Sequence, residues 1–194
     1  MSKLRSIAAL ALLAALAGCE RNPLLVQRSA CPAVAIPNFA GDVTLFNAGD
    51  SRDASAIDVV ATITNVRGVC DDAADRIGTN VSFDVVARRT SARGSRIVSL
   101  PFFASVVQGG NTLVSKQLGA VTLNFADGQL RTQASGAAHA DVSRASATLP
   151  KKIQDQVSRK RKAGDLDAAT DPLADPEVKA AIRSISFEVL VGFQ

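Results

Sequence analysis

From Cys31 to about Ala147 the chain alternates apolar and polar residues with a period of two. Ile57, Val59, Ala61 and Ile63 fall on one side of a run whose other side carries Asp58, Thr62 and Thr64, interrupted by Val60. Val81, Phe83, Val85 and Ala87 alternate with Ser82, Asp84 and Arg88, and Val98, Leu100, Phe102, Ala104 and Val106 share one face of the next run. Val121, Leu123 and Phe125 follow, then Leu130, Ala134, Ala138, Ala140 and Val142. The last run is the most regular: Ile185, Phe187, Val189, Val191 and Phe193, opposed by Ser186 and Glu188. Side chains of an extended chain point to alternate faces, so these runs predict half-buried strands rather than helices.

Turn residues punctuate the runs at Asn47-Ala48-Gly49-Asp50, Arg93-Gly94-Ser95, Gly109-Gly110-Asn111 and Asp127-Gly128. Asp-Gly between two alternating runs is the strongest hairpin signal of the set, and Gly109-Gly110-Asn111 is next. Consecutive hairpins with one apolar face per strand predict a mainly β fold, an antiparallel two-layer sandwich. About seven strands in about 120 residues, with an early cysteine pair, suit an immunoglobulin or fibronectin-III-like sandwich. Pro101 lacks an N–H to donate and so marks an edge strand or a bulge. A transmembrane barrel would need aromatic girdles, and the chain has no Tyr or Trp to build them.

Residues 148–182 break the alternation. Leu149 to Lys162 reads as a basic helix with Ile153 and Val157 on one side. An acidic, proline-containing connector follows from Gly164. Asp175-Pro176-Glu177 then opens a second short helix, with Asp175 as N-cap and Pro176 in the first turn, ending near Arg183. A helical insertion therefore precedes the last strand.

The chain starts differently from the rest. Lys3 and Arg5 precede an unbroken apolar run from Ile7 to Ala17. About eleven residues is the length of a signal-peptide core and too short to cross a membrane as a helix. Leu16-Ala17-Gly18-Cys19 closes the run. This segment resembles the lipobox of bacterial lipoproteins; an ordinary secretory signal with a chance cysteine is the alternative. The resemblance implies that residues 1–18 are removed and that Cys19 carries diacylglyceryl on its thiol and an acyl chain on its new amine. Several chains hold a protein at a membrane where one binds only marginally. Glu20 lacks the Asp that favours inner-membrane retention in enteric-type sorting, which points to the periplasmic face of the outer membrane. Residues 19–30 then form a lipidated tether, and residues 31–194 a single domain of ample length for its own core.

Lipid on Cys19 leaves Cys31 and Cys70 as an even pair in an oxidising compartment, which predicts a disulfide. A redox or metal pair is the alternative, but there is no CxxC spacing and one lone histidine is a poor co-ligand. Loss of Lys3 and Arg5 lowers the formal charge from +4 to +2, so the basicity is partly that of the leader and no nucleic acid partner is expected. Without Trp or Tyr, carbohydrate-binding and base-stacking surfaces are also disfavoured.

Candidate chemistry is thin. His139 lies on the polar side of its run with Arg131, Gln133 and Asp141; with Asp141 it could be a fragment of a catalytic or metal site, and an exposed strand histidine is the plainer reading. Asp71, Asp72 and Asp75 follow Cys70 in a turn, and Asp165, Asp167, Asp171 and Asp175 are spread through the connector; neither group matches a calcium loop. Lys151, Lys152, Arg159, Lys160, Arg161 and Lys162 could contact anionic lipid or an acidic partner, or form a solvated face paired with the connector. No nucleotide loop, Gly-x-Ser-x-Gly or HExxH motif occurs, and neither catalytic nor metal-ligating residues are assigned.

Segments such as Cys31-Pro32-Ala33-Val34-Ala35-Ile36, Ala61 to Cys70 and Phe187 to Phe193 resemble uncharacterised alphaproteobacterial envelope lipoproteins, a group that supplies no catalytic residues. The expectation is a non-enzymatic, lipid-anchored envelope protein, a structural or interaction subunit with a protein partner and no cofactor. A periplasmic carrier or chaperone-like binder of lipid or polypeptide, with residues 149–162 as a lid, is the second reading, and a hydrolase the third.

Overall fold

The computed structural model describes residues 29–49 and 51–194; residues 1–28 and Asp50 lie outside the described residues. Eight strands carry the fold: β1 (Ala33–Ala35), β2 (Asp42–Phe46), β3 (Ile57–Asp72), β4 (Arg76–Arg89), β5 (Arg96–Gln108), β6 (Thr112–Phe125), β7 (Arg131–Ser143) and β8 (Phe187–Phe193). Helices α1 (Lys151–Ser158) and α2 (Pro176–Ser184) lie between β7 and β8. The strands form two four-stranded sheets, in the orders β1-β8-β5-β6 and β2-β3-β4-β7. The alternation in the sequence thus builds the mainly β two-layer sandwich it predicts, with helices before the last strand. An immunoglobulin constant domain groups its first, second, fourth and fifth strands in one sheet; here the layers are alike and the order within them differs.

The strand order follows from where the chain changes sheet. β2, β3 and β4 form a meander, and β5 and β6 a hairpin through Gly109-Gly110-Asn111. The chain crosses between sheets from β4 to β5 and back from β6 to β7, which settles beside β4. β1 pairs with β8 in the only parallel pairing among the described strands, and after a turn in which Ala40 N–H donates to Pro37 O the chain joins β3 in the other sheet as β2.

Three expectations are corrected. Asp127-Gly128 does not close a hairpin: β6 pairs with β5 and β7 with β4, so this turn carries the chain between sheets. Gly128 supplies the positive φ the turn requires, at 78°, but its N–H donates to Ala92 O in the neighbouring crossing loop. Pro101 is neither at an edge nor at a bulge; β5 lies between β8 and β6. Its carbonyl accepts from Gln194 N–H, and a residue in an antiparallel strand turns N–H and C=O to the same flank. The missing N–H therefore faces the flank just past Phe193, where β8 has ended. The basic helix ends at Ser158, so Arg159 to Lys162 lie beyond it.

The inward faces pack as the pattern requires. Val59, Val85, Leu123, Val189 and Val191 are fully buried between the sheets, around Phe83 and Phe102. Two edge-strand glycines make room for these rings. A side chain at Gly136 would begin 2.3 Å from Phe83 Cζ, and one at Gly119 would begin 2.5 Å from Phe102 Cζ.

A buried arginine fastens the two crossing loops. Arg89 ends β4, is 4% exposed and donates to four backbone carbonyls. Two, Ala92 and Gly94, belong to the β4–β5 loop; the others, Ala126 and Gln129, belong to the β6–β7 loop. Its guanidinium also lies 5.2 Å from the centre of the Phe125 ring. Asp127 completes the junction by accepting from Gly94 N–H at 2.6 Å. Nearby, Arg96 of β5 clasps the buried Asp58 of β3 through both carboxylate oxygens, at 2.7 and 2.6 Å. That contact holds the arginine above its usual pKa.

Candidate functional site

Cys31, just before β1, is bonded to Cys70 in β3, with Cα atoms 5.9 Å apart. The bridge ties the start of the described chain, which pairs in the β8 sheet, to the opposite sheet. The close approach extends past the bridge: a side chain at Gly68 would begin 2.5 Å from a Val34 methyl. The expected disulfide is therefore formed. Cys19, the expected lipidation residue, lies outside the described residues.

The helical insertion sits at the same end of the sandwich. Ile153 of α1 and Val178 of α2 are its buried anchors, and Val157, expected beside Ile153, is only half-buried. Asp175 caps α2 as the sequence predicts, accepting from Glu177 N–H at 2.8 Å, and Gln156 of α1 donates to its other oxygen at 3.0 Å. These bonds hold the Asp175 carboxyl below the ordinary aspartate pKa, the backbone N–H first among them.

The basic cluster is largely paired within the insertion. Lys151 contacts Asp155 at 2.7 Å, and Lys152 reaches Glu177 at 2.8 Å, which raises the lysine pKa. Arg159 and Arg161 both converge on Asp167 of the connector. The hydrogen bond from Arg159 is the main reason that carboxyl is held low. Among the described residues the side chains of Lys160 and Lys162 form no ion pair. The six cations are thus not one free patch: Lys152, Arg159 and Arg161 tie the helices and connector together, Lys151 pairs within α1, and two remain for an outside contact.

A cleft of about 440 Å³ separates the insertion from the sandwich. Arg144, Gln154 and Glu188 line it alongside Leu149, Ile185 and Phe187, and it opens to solvent. A lid over a lipid site calls for an enclosed apolar cavity; this cleft is polar and open.

The outer face of the β2-β3-β4-β7 sheet holds the remaining polar candidates. His139 Nδ1 lies 2.8 Å from Asn80 Oδ1 and Nε2 lies 3.2 Å from Asp141 Oδ1, whose carboxylate also meets Arg76 at 2.6 Å. Among the described residues no serine, threonine or cysteine is bonded to the ring, so the cluster offers a histidine and an orienting carboxylate without a nucleophile. Further along, Asn65 at a bulge in β3 and Ser135 of β7 both donate to Asp84, and these two bonds hold its carboxyl low. Asp72 accepts from Arg144. Among the described residues no group of three or more His, Cys, Asp or Glu is placed to hold a metal ion.

No family model, curated protein or solved structure matches the chain.

The sequence patterns concealed two features. One is the Arg89 junction, because a single arginine ending a strand looks like any exposed terminus. The other is the apolar outer face of the β5–β6 sheet. The period-two reading assigned outward positions to solvent, yet Ile97, Leu113 and Leu118 stand exposed there, with Pro101 and half-buried Phe103 between them.

Proposed function

We propose that the chain is a lipid-anchored cell-envelope protein, held at the periplasmic face of the outer membrane through Cys19, that acts as a non-enzymatic structural or interaction module. The Cys31–Cys70 bridge carries this reading. The chain has three cysteines, and the bridge engages two of them, leaving Cys19, which directly follows Leu16-Ala17-Gly18. A thiol spared from the bridge is the nucleophile that lipidation requires. The bridge also suits an oxidising compartment. No helix among the described residues is long and apolar enough to cross a membrane.

The module's recognition elements are its surfaces. Residues 145–186 form a braced projection at one end, presenting Lys160 and Lys162 and the fully exposed Leu166. Ser29 and Cys31 line the cleft beside this projection, so an anchor at Cys19 would hold it near phospholipid or near a partner seated on it.

Metabolic labelling tests the anchor. Labelled palmitate is expected to enter the wild-type protein and not Cys19→Ser. Label in the mutant, or none in the wild type, overturns the reading.

A further inference from the structure

We propose that the chain's own residues 24–28, Leu-Leu-Val-Gln-Arg, dock in the cleft between the helical insertion and the sandwich, so that the tether doubles as a strap setting how far the domain stands from its anchor. This segment lies outside the described residues, and two observations make it the occupant.

The first is where the described chain begins. Ser29, Ala30, Cys31 and Ala33 form one wall of the cleft. That wall is fixed in place: Cys31 is bonded to Cys70, its N–H donates to Ser29 Oγ at 3.2 Å, and Ala33 stands level with Glu188 in the β1–β8 pairing. Arg28 is the next residue back, so the segment meets the cleft as an intramolecular ligand, with its encounter guaranteed by a very short connection. A volume of about 440 Å³ suits a few side chains and not a folded partner.

The second is complementarity. Across from that wall the cleft is lined by Leu149 and Ile185, both half-buried, so part of their apolar surface is left in water. Two charged side chains line it. Arg144 is already paired with Asp72, whereas the half-buried Glu188 forms no ion pair among the described residues. The cleft therefore calls for one cation with apolar groups a few residues away. Residues 24–28 supply them in that order, Leu24, Leu25 and Val26 and then Arg28. An extended segment turns Leu24, Val26 and Arg28 to one side, so pairing of Arg28 with Glu188 brings two apolar side chains over the cleft together. An anionic lipid headgroup would instead meet the Glu188 carboxylate with repulsion.

Docking shortens the reach of the anchor. Free, residues 19–28 span up to about 33 Å; with residues 24–28 seated, residues 19–23 span about 17 Å. The insertion is then held close to the membrane. This consequence rests on the lipid anchor at Cys19, and the docking itself does not.

Amide hydrogen exchange of the full chain extracted from membranes tests the strap, with the Cys19→Ser protein run beside it and the melting temperature as the check on folding. In both proteins the amides of residues 25–28 are expected to exchange about tenfold or more slowly than those of an unstructured chain. Glu188→Gln, Val26→Asp and Arg28→Glu should each release them without moving the melt, and Arg28→Glu combined with Glu188→Arg should restore protection. Exchange at the unstructured rate in both proteins overturns the proposal, as does protection indifferent to Glu188. Protection confined to the lipidated protein would assign it to the membrane and equally overturn docking. Protection in both proteins, with no palmitate in the wild type, would remove the anchor and leave the strap standing.

Discussion

The ring of Phe83, from one sheet, meets that of Phe102, from the other, edge to face, with centres 5.0 Å apart and planes at 77°. Each ring also extends beneath a glycine of its neighbouring edge strand, Phe83 under Gly136 and Phe102 under Gly119. The sandwich is thus joined at its centre by two rings whose outer ends occupy the space that two missing side chains leave.

Gly136→Ala is expected to destabilise the protein by about 1–3 kcal/mol, the range for overpacking a filled core. Its Cβ would stand 2.3 Å from Phe83 and 2.9 Å from Val121. Thermal unfolding of Gly136→Ala, Phe83→Leu and the double variant measures the coupling. The double variant should recover part of the loss, and strict additivity would refute the contact.

Arg89→Met should lower stability by about 3 kcal/mol, because carbonyls bonded to a charged donor lose it while the loops stay closed over them. Arg89→Lys should rescue little, since one ammonium cannot replace a planar fork serving four carbonyls in two loops. Urea midpoints at fixed m-value test both, and a melt matching the wild type for Arg89→Met would contradict the role.

Removing the Cys31–Cys70 bridge by paired serine substitution should cost about 4 kcal/mol by the loop-entropy argument for a closure of about 40 residues. Reductant should lower the wild-type melting temperature and leave the paired variant unchanged.

The helical insertion should loosen in acid before the sandwich does. Asp167 and Asp175 both have carboxyls held below the ordinary aspartate pKa of 3.8, by Arg159 and by the Glu177 N–H respectively. A depressed carboxyl contributes its full stabilisation above the unfolded pKa and loses it as pH falls through the folded value. Between neutrality and pH 5 amide exchange protection in α1 and α2 should therefore hold, and below about pH 4 it should fall ahead of protection in β3–β5. Simultaneous loss would show that these carboxylates do not brace the insertion.

Local pattern made part of this molecule legible. Residues such as Val81, Phe83 and Val85 announced a strand and its buried face, and Asp175-Pro176 announced a capped helix, because both signals depend on near neighbours alone. Sheet assignment did not follow from local pattern. Asp127-Gly128 has hairpin chemistry, but its destination depends on Arg89 and Asp127 fastening the crossing loops, groups separated by 38 positions in the chain. Pro101 looked like an edge marker because the sequence does not reveal that β8 stops beside it. The cationic run from Lys151 to Lys162 looked like one patch because its partners, Asp167 and Glu177, arrive only when the connector folds back.

The central claim is that three cysteines divide into one lipid anchor and one bridge. Mass analysis of the non-reduced protein extracted from membranes tests it most directly. The account predicts a chain that begins at Cys19 bearing diacylglyceryl, with the Cys31 and Cys70 peptides recovered as a single linked species. An unmodified Cys19 at an intact leader junction, or Cys19 recovered in a disulfide with Cys31 or Cys70, would contradict it.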